Sequence, residues 1–182
     1  KSILSSSSAA SDVYKRQLVT NTALAHHPQV IERYPLLSQA ILAGASTQIR
    51  NMATTAGNVM QRTRCPYYRD VAAACNRREP GSGRDALHGI NRMHAVLGGS
   101  EHCIAVHPSD MCVAMAALGA TLTLEGPGGT REMAFNDFHR LPAERPDREH
   151  ELDDGELITH VTLDTPIEGA GSYYLKLSLI HI

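Results

Sequence analysis

Long hydrophobic runs are missing from this 182-residue chain. Nowhere do the roughly 20 consecutive apolar residues of a bilayer-spanning helix occur, so no membrane segment is expected. A surplus of one charge is missing too: 17 lysines and arginines face 19 aspartates and glutamates, a formal charge of −2. The arginines of 62–92 are interspersed with acids, so the basic face that nucleic-acid binding requires is not there. Cysteine is sparse, with Cys65, Cys75, Cys103 and Cys112 the full set. Four cysteines could form two disulfides in an exported protein, but a chain of this length can fold without staples, so ligand or free thiols are expected. No close C-x-x-C pair occurs, which argues against a zinc ribbon. The 10 histidines include no i, i+4 pair on one helix face and read mostly as surface or packing residues. No internal repeat appears. What is left is the composition of a soluble globular piece of protein.

Local signals outline the elements. Leu36, Leu37, Ala40 and Ile41 repeat near 3.6 after Pro35, a good first-turn residue, and Gly44 marks the stop, so a helix is expected over 35–43. Residues 49–55 read as a short extended piece entering an Ala56-Gly57-Asn58 turn. A long irregular loop follows, and residues 103–106 form a short strand candidate. Pro108-Ser109-Asp110 reads as a cap for a helix over 111–118 that ends at Gly119. Residues 120–125 and 130–134 flank Gly126-Pro127-Gly128-Gly129, the best hairpin signal in the chain. Leu157, Thr159, Val161 and Leu163 alternate as a further strand, 144–156 reads as an acidic solvated linker, and 172–176 as the start of another strand. Helices mixed with antiparallel strands give an α+β class rather than a doubly wound sheet.

The two ends carry a separate signal. Residues 12–17 (DVYKRQ) and 177–182 (LSLIHI) can be encoded by one DNA string and its reverse complement. Inverted copies of one element therefore flank the chain. That element resembles the transposase end used in sequencing-library preparation, so 1–17 and 177–182 are expected to be read-through tails around an internal piece of a longer gene product.

Residues 51–110 decide the functional reading. They run NMATTAGNVMQRTRCPYYRD, then CNRREPGSG, then GINRMHAVLGGSEHCIAVHPSD. So long a stretch without a sustained apolar period is expected to surround something other than a hydrophobic core. A string of the type Thr-Thr-small-Gly-Asn suits a pyrophosphate, which wants backbone N–H groups and hydroxyls without a Cβ in the way. The segment resembles the FAD-binding subunit of the molybdenum hydroxylases, the xanthine dehydrogenase and aldehyde oxidoreductase family. Its likeness is greatest to the bacterial aldehyde oxidoreductase branch whose flavin subunit also carries an iron–sulfur cluster.

The resemblance implies a vanillyl-alcohol-oxidase/PCMH-type FAD-binding domain over 18–165, with a cluster loop at 62–104 and the start of the flavoprotein C-terminal domain at 166–176. It implies FAD held by Thr54, Thr55, Ala56, Gly57 and Asn58, where Thr55 and Ala56 stand in place of the family's Ile/Val and first glycine. A positive φ at Ala56 would be strained. Ser109 and Asp110 are implied beside the ribose and pyrophosphate, Glu156-Leu157 on a strand lining the flavin, and Lys176 near the isoalloxazine. The family's glycine-rich pyrophosphate loop would lie before Leu18. Of the four cysteine positions that hold a [4Fe–4S] cluster in the cluster-bearing branch, Cys65, Cys75 and Cys103 match and Arg84 stands at the third. Arginine stays protonated and is no iron ligand. Loss of the cluster, a three-cysteine cluster and an error in the sequence are the open readings. Arg62, Arg64, Arg77 and Arg92 are expected to pair with Asp70, Glu79 and loop carbonyls.

The implied function is that of an electron-transfer subunit without a catalytic acid or base of its own. A molybdopterin-binding large subunit would oxidise an aldehyde or N-heterocycle, a [2Fe–2S] ferredoxin-like small subunit would relay electrons, and FAD here would hand them to an external acceptor, in the bacterial cytoplasm or periplasm. Two alternatives are a noncatalytic, metal-stapled interaction module and a stand-alone flavin oxidase of the same superfamily. Stoichiometric flavin binding separates the module from the other two.

Overall fold

The structure, a computed structural model, describes residues 15–16, 18–166 and 171–176. In chain order the elements are β1 (Lys15–Arg16), α1 (Asn21–Ala25), α2 (Pro28–Arg33), α3 (Pro35–Ala43), α4 (Thr47–Met52), α5 (Thr55–Val59), α6 (Pro66–Arg69), α7 (Asp85–His88), α8 (Asp110–Ala117), β2 (Thr121–Gly126), β3 (Gly129–Ala134), α9 (Phe135–Phe138) and β4 (Leu157–Thr162). The mixture is α+β, as expected. No helix among the described residues is long and apolar enough to cross a membrane. The chain divides into two compact units, one drawn from Lys1–Met60, Ser109–Asn136 and Asp153–Ile182, the other from Gln61–Pro108 and Asp137–Leu152.

The first unit packs helices beside a four-stranded sheet of order β1-β4-β2-β3. Prolines open α2 and α3, where a missing N–H costs nothing and φ is already helical. Leu37, Ala40 and Ile41 of α3 and Met111, Ala114 and Met115 of α8 are buried, and the two helices pack together. Each large side chain so buried contributes about 1.5–3 kcal/mol of transfer free energy. Tyr34 Oη donates to the Asp164 carbonyl at 2.9 Å, tying the start of α3 to the chain beyond β4. The hairpin forms as expected, with Glu125 paired to Thr130 and Gly126 to Gly129. Gly119 follows α8 at φ 63°, a left-handed backbone that favours glycine.

Several local expectations are corrected. Residues 47–52 are helical, not extended. Ser46 Oγ caps α4 at the Ile49 amide, and Arg50 Nη1 donates to the carbonyls of Gly44 and Ala45 at 2.9 and 2.8 Å. That clamp stabilises Ala45, which sits at φ 53° at a steric cost of about 1 kcal/mol. Strand β4 does not alternate cleanly: Ile158, Val161 and Leu163 are buried whereas Leu157 is exposed. A bulge explains it, since Thr123 pairs with His160 and Leu124 with Ile158, so Thr159 is the extra residue that shifts the phase. Residues 172–176 form no strand, because the Tyr174 amide is spent on the Gln39 side chain, Oε1 accepting at 2.8 Å.

The second unit is held by polar contacts more than by a ladder. Residues 103–106 are not a strand. Ser100 Oγ takes the His102 and Cys103 amides, Cys103 Sγ takes that of Ala105, and the Ile104 carbonyl is met by the Ala95 amide, leaving few backbone groups for a neighbour. The long loop does contain α6, α7 and an isolated bridge between Cys75 and Arg84. Asn76 Oδ1 accepts from the amides of both Gly81 and Gly83 at 3.1 Å, closing the Pro80-Gly81-Ser82-Gly83 turn. Arg78 gathers the carbonyls of Tyr67, Tyr68 and Asp70 at 2.8–2.9 Å, and that of Ala73 as well. The expected pairing of Arg77 with Asp70 or Glu79 is replaced by a 3.0 Å ion pair with Glu149, which Arg62 also approaches at 3.4 Å. Part of the acidic linker is therefore structural rather than solvated.

Candidate functional site

The Thr54–Asn58 string is the start of a helix rather than a strand-end turn. Thr54 Oγ1 accepts from the Gly57 amide at 3.1 Å and so caps α5. Gly57 is needed here for space, not for its backbone angle: a Cβ would lie 2.9 Å from Thr54 Oγ1. Ala56 is helical and not among the positive-φ residues, so its replacement of a glycine carries no strain. Thr55 is fully buried, with its amide on the Val19 carbonyl at 2.9 Å and its hydroxyl on the same oxygen at 3.1 Å. Its role is to anchor the turn. The Ala56 amide meets no acceptor among the described residues and is the donor this turn can offer a ligand.

Ser109 brings the second segment to the first. Its Oγ accepts from the Cys112 amide at 3.1 Å, capping α8, and donates to Asn58 Oδ1 at 2.6 Å. Capping and bridging are thus done by one hydroxyl. The next residue, Asp110, holds the third segment: Oδ1 accepts from Tyr174 Oη at 2.7 Å and Oδ2 lies 2.6 Å from Lys176 Nζ. Gly44 leaves room for it, since a Cβ there would sit 3.0 Å from Asp110 Oδ2. Burial first, then the hydrogen bond to Asp110 and its negative charge, push the Tyr174 hydroxyl up to about 12. Lys176 is half exposed, so its ion pair contributes about 1 kcal/mol or less.

Thr54, Thr55, Ala56, Gly57, Asn58, Ser109, Asp110 and Lys176 thus belong to connected segments of the first unit. Leu157 is not joined to them by a described contact: it opens β4, opposite Glu125. Its neighbour Glu156 is not simply solvated. Arg131 donates to it through Nε and Nη2 at 2.8 and 2.7 Å, and that pair holds its carboxyl down at about 2. Tyr174, Gln39 and Gly44 are the site residues that sequence reasoning missed. No spacing pattern marks them, because each reaches its partner across a long stretch of chain.

The cysteines separate into a set of three and one apart. Cys65, Cys75 and Cys103 are buried and unbridged and line one pocket together with Arg84 and His102. His94 Nε2 touches Cys65 Sγ at 3.2 Å, and the Cys75 amide donates to Ser82 Oγ at 3.0 Å. Cys112 lies inside α8 of the first unit, where burial pushes its thiol up to about 12. It is a packing residue.

The first-unit cluster fits a nucleotide cofactor: an unspent amide can meet phosphate, and a carboxylate can accept from sugar hydroxyls. The thiol pocket does not fit a four-thiolate iron–sulfur cluster, because only three of its lining residues are cysteines.

Comparison with known proteins concerns the chain as a whole. Residues 9–166 match the family described as the FAD binding domain in molybdopterin dehydrogenase. The chain is 54% identical over 157 residues to the aldehyde oxidoreductase FAD-binding subunit PaoB of Escherichia coli strain K12, a match covering 86% of this chain and 49% of that protein. The chain therefore spans about half the length of that relative. Among solved structures it is similar to a carbon monoxide dehydrogenase of Hydrogenophaga pseudoflava (TM-score 0.59, 20% identity, 95% of this chain and 44% of the other). It is also similar to quinoline 2-oxidoreductase of Pseudomonas putida 86 (TM-score 0.52, 20% identity, 88% and 39%). At such identities the two structures establish the fold alone.

Proposed function

The chain belongs to the family of FAD-binding domains of molybdopterin dehydrogenases, and on that premise we propose that it is the flavin-holding, electron-transferring part of a molybdenum hydroxylase that oxidises an aldehyde or N-heterocycle. Its partners on this reading are a molybdopterin-binding large subunit and a [2Fe–2S] ferredoxin-like small subunit. Residues 18–165 make up the FAD-binding domain, 166–176 begin the next domain, and 1–17 and 177–182 are read-through. The observation that carries the proposal is the convergence of Thr54–Asn58, Ser109–Asp110 and Lys176 in one hydrogen-bonded cluster of the first unit.

When bound, FAD supplies stepwise acceptance of single electrons from an iron–sulfur relay and their release to an external acceptor, and the chain's residues bind and tune it. The Ala56 amide and the first turn of α5 offer donors to a phosphate. Asp110 accepts from sugar hydroxyls while Tyr174 and Lys176 fix its orientation. Lys176 also places a positive charge that favours an anionic reduced flavin. Since Asp110 already holds Lys176 at 2.6 Å, the net charge offered to the flavin is that of the pair, and the lysine acts through its position.

The test is FAD titration of the gene product that carries this segment at full length, followed by flavin fluorescence. Asp110→Ala is expected to weaken binding about tenfold or more, the equivalent of about 1.4 kcal/mol, and Val113→Ala, an exposed position on α8, to leave it unchanged. Equal affinity in Asp110→Ala and the parent would refute the placement. Absence of stoichiometric flavin in the parent would favour a noncatalytic module.

A further inference from the structure

We infer that Gln39 of α3 is a positioning residue of the flavin site, one that sets Asp110 through the segment 172–176 without being a ligand itself. This rests on the reading of Asp110 as the group that accepts from the flavin's sugar hydroxyls. The segment forms no strand, yet its exposure alternates. Tyr173 and Leu175 are 75% and 67% exposed, whereas Tyr174 between them is half-buried. The alternation is that of an extended chain, which sends every second side chain to one side.

That side meets the C-terminal half of α3 in a matched register. Gln39 Oε1 accepts from the Tyr174 amide at 2.8 Å. One helical turn on, the Ala43 carbonyl accepts from Lys176 Nζ at 3.4 Å, at the end of the helix where a cation is favoured. Four residues of helix advance about 6 Å and two of extended chain about 6.6 Å, so the two contacts fit one alignment of segment on helix. Tyr174 and Lys176 then close on Asp110 together, the phenol donating to Oδ1 at 2.7 Å and the ammonium lying 2.6 Å from Oδ2. Gly44, the residue after α3, leaves the space that this carboxylate fills. Among the described residues, the bond to Gln39 is the one that fixes the segment's backbone. The half-exposed lysine holds by an ion pair too weak to set the register alone. Gln39 therefore decides where both donors of Asp110 start from.

The experiment uses the gene product that carries this segment at full length. Deuterium exchange of the peptide spanning 172–176, read by mass spectrometry on flavin-free protein, reports the anchor, and FAD titration reports the site. Gln39→Met keeps the side chain's length and helix propensity but offers the Tyr174 amide no oxygen. Exchange should quicken and FAD binding weaken about fivefold each, the loss expected of one hydrogen bond, with melting curves showing that the variant folds. Gln39→Glu keeps an acceptor, so it should restore the slow exchange and hold FAD more tightly than Gln39→Met. Because Gln39 acts through Asp110, adding Gln39→Met to Asp110→Ala should weaken binding by less than about a further twofold, whereas independent sites add. Parent-like exchange or parent-like affinity in Gln39→Met would overturn the inference, and so would full additivity with Asp110→Ala. If Asp110→Ala alone binds weakly, each of those results leaves the flavin reading standing. Parent-like affinity in Asp110→Ala would instead remove that reading, and this inference with it.

Discussion

Replacing Ser109 separates two roles that one hydroxyl plays. In Ser109→Ala the α8 amide at Cys112 loses its cap, worth about 1 kcal/mol. The Asn58 carbonyl oxygen loses a donor held at 2.6 Å, worth about 1 kcal/mol more. Ser109 is buried, so water replaces neither bond. A loss near 2 kcal/mol is therefore expected, or about 4–8 °C in melting temperature for a chain of this size. Two companions apportion it. Ser109→Thr keeps both bonds and should stay within about 0.5 kcal/mol of the parent. Ser109→Asp keeps the cap but sets a carboxylate against the Asn58 oxygen, so it should fall at least about 1 kcal/mol short. Urea unfolding followed by far-ultraviolet circular dichroism measures all three. Ser109→Asp as stable as the parent would show that the link to Asn58 contributes nothing, and an unaffected Ser109→Ala would remove the cap as well.

Three further outcomes follow from the same geometry. Gly57→Ala pushes a methyl against Thr54 Oγ1, at 2.9 Å in the unrelaxed structure, and should cost about 1–2 kcal/mol by displacing the cap, measured in the same unfolding assay. Glu156 titrates near 2 when folded against an ordinary value of about 4.3, so its contribution is present above that value and is lost as pH falls toward 2. The fall in melting temperature over that window should shrink in Arg131→Gln, and an unchanged profile would contradict the assigned pair. Deleting residues 1–17 removes two paired residues of β1, Lys15 with Val161 and Arg16 with His160. The melting temperature should drop by no more than about 3 °C, and a larger loss by calorimetry would mark that segment as an integral strand.

Elements announced by local chemistry could be read from the sequence: Pro35 opening a helix, Ser109 capping one, and a glycine-rich turn closing a hairpin. Where tertiary partners decide, the sequence misleads. Residues 49–55 carry an extended-looking pattern, yet 47–52 are helical, and that helix depends on Ser46 at one end and on Arg50 reaching back to the 44–45 turn. The phase of β4 is set by a bulge opposite Thr123 and Leu124 that no property of β4 announces. At the site, the Thr54–Asn58 and Ser109–Asp110 strings were visible as motifs, yet Tyr174 was not, since it meets Asp110 across 64 positions. The three thiols and Arg84 were expected in one loop and do line one pocket. The residue that organises that loop, Arg78, carries no sequence signature, because its partners are backbone carbonyls.

Arg78 fills the place of a missing core. Its guanidinium is solvated by the carbonyls of Tyr67, Tyr68, Asp70 and Ala73, much as a bound cation would be, and the carbonyls of Tyr67 and Tyr68 lie in or at the end of α6, where a cation is favoured. Because four carbonyls converge on one guanidinium, the backbone order of the segment between Cys65 and Cys75 rests on a single side chain where a packed apolar cluster would otherwise be needed.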